Sequence, residues 1–119
     1  MPRNSERARE LPPGRELDAL FFETCWPDEH GCWLGAFLLP PVTTDATACE
    51  KWVMRWFDDN DLRFTLNYNH EKKFIVTMRR QFHAGWFAFV TQTGTTLWHA
   101  LVLAAIAAAE TMHKEKRDG

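Results

Sequence analysis

Three cysteines and five histidines carry the widest range of chemistry in this 119-residue chain. Cys25, His30 and Cys32 stand in the spacing Cys-x4-His-x-Cys, and Cys49 follows as a fourth ligand candidate. Thiolate and imidazole ligands hold structural zinc, but usually in tight pairs such as Cys-x2-4-Cys. That pairing is missing, so the leading expectation is buried, reduced thiols, with zinc on Cys25, His30 and Cys32 the weaker candidate. Segment 25–32 is also where Cys–His chemistry would sit if the chain were a small nucleotide-processing enzyme. The histidines otherwise scatter, and His99 falls in an apolar helical run, where a hydrogen-bonded core position is expected. Ser5 is the one serine, which removes serine hydrolysis. Neither Gly-x-Gly-x-x-Gly nor a Walker pattern occurs, so dinucleotide and P-loop chemistry have no support and no cofactor is expected.

A second set of residues suits anions. Arg63, Lys73, Arg79 and Arg80 fall in or beside a stretch of strand alternation, and the register predicted below sets Arg63 opposite Arg79. Like charges directly opposite are unfavourable unless something sits between them. Guanidinium groups fit phosphate and carboxylate, so this face is a candidate for an anionic ligand or an acidic partner. The competing reading is a solvated face, or pairing with the acidic first half of the chain. Residues 1–61 hold 6 basic and 12 acidic residues, whereas residues 62–119 hold 8 basic and 4 acidic. The net charge of −2 weighs against a nucleic-acid binder.

Tryptophan is the compositional anomaly, with six Trp against one Tyr. Trp52 and Trp56, four apart, join a helical stripe, and Trp86 and Trp98 belong to a strand and a helix, so these four read as architecture. Trp26 and Trp33, in the loop that carries the cysteines, are the candidate contact residues, since exposed indoles anchor interfaces.

The elements that position these groups follow from periodicity. Residues 1–14, polar and ending in Pro-Pro-Gly, predict a frayed tail. Leu17, Leu20, Phe21 and Thr24 predict a helix over Arg15–Cys25, stopped by Pro27. Trp26–Val42 reads as a loop with a short extended piece at Cys32–Leu39. Thr43 or Thr44 can cap the next helix, with Asp45 in its first turn and a stripe at Cys49, Trp52, Val53, Trp56 and Phe57. Asp58–Asp61 end it as a solvated turn.

Strand alternation then sets Leu62, Phe64, Leu66 and Tyr68 on one face of a first strand and Phe74, Val76 and Met78 on one face of a second. The pairing predicted is Tyr68 with Phe74, Leu66 with Val76, Phe64 with Met78, Thr65 with Thr77 and Arg63 with Arg79. Trp86–Thr91 is a third strand with apolar residues on both faces. Gly94 breaks the sheet, and Thr95 or Thr96 caps an Ala-rich helix from Leu97 to about Lys114, followed by a charged tail over 115–119. The result is one α+β domain over residues 15–114: a three-stranded antiparallel sheet with packed helices, in the order α-α-β-β-β-α. No apolar run is long enough for a membrane span. A small sheet with an exposed edge predicts a homodimer.

Taken together, Arg15-Glu16-Leu17-Asp18-Ala19-Leu20, Pro41-Val42-Thr43-Thr44-Asp45, the Trp-bearing third strand, Thr96 and the helix His99-Ala100-Leu101-Val102-Leu103-Ala104-Ala105 resemble the phage α/β/α (ABA) sandwich domain family of small phage and prophage accessory proteins. The likeness spans about residues 15–112. It implies an αβα sandwich-like fold, a viral origin and an accessory role in the host cytoplasm, and it brings no catalytic residue with it. The expected function is therefore non-catalytic: antagonism of host defence by binding a host protein or by sequestering a small anionic nucleotide ligand.

Overall fold

The computed structural model describes residues 4–27, 39–71, 73–82 and 85–118. Four helical runs and one sheet are built from them: α1 (Asn4–Glu10), α2 (Arg15–Cys25), α3 (Ala46–Cys49 continuing through a π-helical Glu50–Met54 into Arg55–Asp59), β1 (Leu62–Tyr68), β2 (Phe74–Phe82), β3 (Gly85–Gly94) and α4 (Leu97–Asp118). The α+β class and the sheet order β1-β2-β3, antiparallel throughout, agree with the sequence reading.

Helix α4 is the centre of the molecule. Residues 101–109 are all buried, and a helix that is apolar all round must be covered on every side. It packs on β3 and β2 with one side and on α1 and α2 with another. The layers are thus sheet, α4, then the remaining helices, with the sheet outermost among the described residues. Ala100, Ala104, Ala105, Ala108 and Ala109 are the small side chains that permit this close stacking. The sharpest contact is at the end of β3, where a Cβ on Gly94 would lie 2.5 Å from the Ala100 backbone nitrogen and 2.7 Å from its Cα.

The caps explain where the helices begin. Asp45 caps α3, its carboxylate accepting from the Ala48 N–H at 2.9 Å. The expected cap is Thr43 or Thr44 with Asp45 in the first turn; Thr43 is instead buried, and donates its N–H and its hydroxyl to Asp18 Oδ1 at 2.9 and 2.7 Å. Thr43 Oγ1 also accepts from Gly14 N–H at 2.9 Å, so one side chain ties the start of α3 to the start of α2. Thr96 caps α4, its hydroxyl accepting from His99 N–H at 3.1 Å. In α3, the π-helical stretch contains Trp52, whose carbonyl accepts from the Trp26 indole N–H at 3.2 Å.

Three expectations need correction. The tail expected over residues 1–14 is helical over Asn4–Glu10. Ala8 is fully buried, Ser5 N–H donates to Glu110 at 2.8 Å, and the Asn4 side chain donates to Thr24 at 3.1 Å. A seven-residue helix has little stability of its own, so tertiary contacts hold it and periodicity could not announce it. The third strand runs to Gly94 rather than Thr91, and α4 continues past Lys114 to Asp118. The β2–β3 register also slips between Met78, which faces Val90, and Arg79, which faces Ala88, leaving Phe89 as a bulge.

Candidate binding face at one end of the sheet

The predicted β1–β2 register holds at every pair, including Arg63 opposite Arg79 and Thr65 opposite Thr77. Alternation turns these residues away from α4, onto a face that also bears Thr91, opposite Thr77, and Trp86, opposite Gln81. Arg63 reaches across β2 and lays its guanidinium over the Trp86 ring, 5.8 Å from the centroid. Trp86 is 40% exposed. Arg79 lies between the two on the central strand, and its Nε is buried with no hydrogen-bond partner. Like charges directly opposite across an antiparallel pair are destabilising unless something sits between them. This face therefore holds an unbalanced pair of fork-shaped donors beside an aromatic plane.

A groove of about 760 Å³ runs round this end of the sheet, lined among others by Asp58, Asp61, Arg63, Arg80 and Trp86. Asp61 sits at a left-handed turn, φ 54°, that ends α3 and leads the chain into β1. Its carboxylate and that of Asp58 share the lining of the groove with Arg63 and Arg80.

The four basic residues singled out from the sequence do not form one patch. Arg63 and Arg79 are neighbours. Arg80 pairs with the buried Leu62 and so points to the helix-side face, its guanidinium 5.4 Å from the Phe89 ring centroid. It enters the same groove only round the end of the strand. Lys73 precedes β2 at the opposite end, six residues from Arg79, or about 20 Å at the rise of a strand.

The tryptophans change roles. Trp26, a contact candidate, is half-buried in an aromatic cluster, edge-on to Trp52 at 5.7 Å, with Arg55 5.7 Å from its ring. Its indole N–H is satisfied by Trp52, so it is architecture. Trp86, read as architecture, is the exposed indole of the groove. A strand with apolar residues on both faces concealed it, and its position opposite Gln81 on the polar side of β2 lies beyond the register shift at Phe89. Trp33, His30 and Cys32 lie outside the described residues.

Cys25 lines a smaller pocket of about 340 Å³ with Trp26, Trp56, Asp59, Met112 and His113. Burial pushes its thiol well above the ordinary range, and burial pushes Cys49 up to about 12. Both are free, buried thiols, and burial disfavours their thiolate forms. Among the described residues, no group of three His, Cys, Asp or Glu side chains is placed to hold a metal ion.

His99 is buried in the first turn of α4, where its Nδ1 accepts from Thr95 N–H at 3.2 Å. That bond places the ring hydrogen of the neutral form on Nε2, which is buried and makes no hydrogen bond of normal geometry. Burial lowers its pKa below the usual 6.5, while the nearby Leu11 backbone acts weakly in the opposite sense. A depressed imidazole pKa stabilises the fold fully above the unfolded value and loses that contribution as pH falls below it. Unfolding free energy measured by urea titration should therefore fall between pH 7.5 and pH 5. The His99→Asn variant, whose amide oxygen can accept from Thr95, should show a flatter profile, and equal slopes would remove His99 as the cause.

Comparison of the chain with protein-family models, with curated proteins and with solved structures finds no match.

Proposed function

We propose that this chain is a non-catalytic binding protein that captures a small planar anion, best a nucleotide, at the Arg63–Arg79–Trp86 face. The observation that carries this reading is the opposed arginine pair, with Arg79 Nε buried and unpaired beside an exposed indole. A phosphate set between the two guanidinium groups would relieve their repulsion and form charge-assisted hydrogen bonds. The indole offers a surface for base stacking, and Asp58 and Asp61 offer acceptors for sugar hydroxyls or base amino groups. On the resemblance to the phage α/β/α sandwich family, such capture fits an accessory protein in the host cytoplasm that sequesters a signalling nucleotide of a host defence system.

The reading with a Cys–His enzyme in segment 25–32 is less favoured at Cys25, whose thiol is buried, with burial raising its pKa. Calorimetric titration with a panel of mono-, di- and cyclic nucleotides tests the proposal. At least one should bind, and it should be recovered intact after heat release. Arg63→Glu with Arg79→Glu should weaken binding about 100-fold or more, each lost charged contact contributing about 1.5–3 kcal/mol. Lys73→Glu, at the far end of the sheet, should change it less than threefold. Conversion of the nucleotide, or binding indifferent to the double substitution, would overturn the assignment.

A further inference from the structure

The sheet has two edges, and they differ. β3 is interrupted by the bulge at Phe89, a feature that blunts edge pairing. β1 pairs with β2 in unbroken register over all seven of its residues, contains neither Pro nor Gly, and carries one charge, Arg63. No strand among the described residues pairs with its other side. Its distal half also extends beyond the helix layer: Leu66 and Tyr68 are 42% and 59% exposed although they lie on the helix-side face.

We propose that the edge of β1 left unpaired by the described strands pairs antiparallel with β1 of a second copy, joining two three-stranded sheets into one of six strands. A two-fold axis at Thr65, the midpoint of Leu62–Tyr68, brings all seven residues into register. Leu62 then stands opposite the partner's Tyr68 and Phe64 opposite the partner's Leu66, so the exposed apolar pair gains neighbours of its own kind. On the other face Arg63 meets the partner's Asn67, and no like charges oppose each other. The turns match as well. The acidic turn with Asp58, Asp59 and Asp61 precedes β1, and the connection that follows it to β2, residues 69–73, carries in sequence two lysines against the one acid Glu71. Antiparallel pairing sets each acidic turn beside the partner's basic one, twice by symmetry.

Light scattering after gel filtration should give twice the 13.9 kDa of one chain, with dissociation promoted by 1 M salt. Leu66→Lys should give the monomer mass with an unchanged circular dichroism spectrum, because Leu66 is exposed. With Cys32 replaced by Ser and the remaining thiols buried, Thr65→Cys should cross-link to a dimer on mild oxidation, since residues opposed across an antiparallel pair lie within disulfide reach. Thr91→Cys, on β3, should not. A wild-type chain that stays at 13.9 kDa up to millimolar concentration, a Thr65→Cys protein that does not cross-link, or equal cross-linking through Thr91→Cys would overturn the proposal.

Discussion

Gly94→Ala is expected to lower the unfolding free energy by about 3 kcal/mol and the melting temperature by roughly 10 °C. The new methyl would lie 2.5 and 2.7 Å from backbone atoms of Ala100, and 3.0 Å from its Cβ. Backbone atoms in the first turn of a buried helix cannot rotate aside as a flexible side chain can, so α4 must move away from β3. That movement is costly because α4 is buried on every side and also supports α1 and α2. Ala100→Gly removes only the 3.0 Å neighbour, so the double variant should be no more stable than Gly94→Ala alone. Urea denaturation of the three proteins measures this, and a Gly94→Ala loss under 1 kcal/mol would show that the close approach is not a constraint.

Asp18→Ala should cost about 2–3 kcal/mol by a different mechanism. Asp18 is buried, and one of its oxygens accepts both the N–H and the hydroxyl of Thr43. Truncation leaves the buried Thr43 N–H without an acceptor and its hydroxyl with only the long 3.4 Å bond to the Gly14 carbonyl, and it releases the segment that delivers Asp45 to cap α3. Asp18→Asn keeps a carbonyl acceptor and should cost less. Its pH dependence is a second signature. Burial raises the Asp18 pKa above its ordinary value, although both Thr43 hydrogen bonds pull it down. A raised carboxyl pKa means that the charged form is less welcome in the folded chain than in the unfolded one. The stability advantage of wild type over Asp18→Asn should therefore shrink as pH rises through the raised value. An advantage that grows with pH would mean that the Thr43 bonds outweigh burial.

Much of the local structure was legible because it depends on neighbours in sequence. The span of α2, the cap at Thr96 and the whole β1–β2 register follow from apolar spacing, short polar side chains and a tight connection between two alternating strands, whereas the α3 cap fell one or two residues later than the threonines suggested, on Asp45. The β2–β3 register was not legible, because an extra residue at Phe89 changes which side chains share a face. The N-terminal helix was missed for a related reason: its stability lies in contacts with Thr24 and Glu110, far away in sequence.

The candidate site divides along the same line. Arg63 opposite Arg79 could be read from alternation, since strand periodicity is a local property. Lys73 and Arg80 were grouped with them by proximity in sequence, but strand rise carries Lys73 to the other end, and one step of alternation turns Arg80 to the other face. The two indoles exchanged places because exposure is decided by what packs above a residue. Sequence by itself determined the class of the fold, the order of its elements from α2 onward and the opposed arginines. Only the tertiary structure decided that Trp86 lies in the open beside them and that Trp26 is half-buried against the core, because burial is a property of the assembled layers.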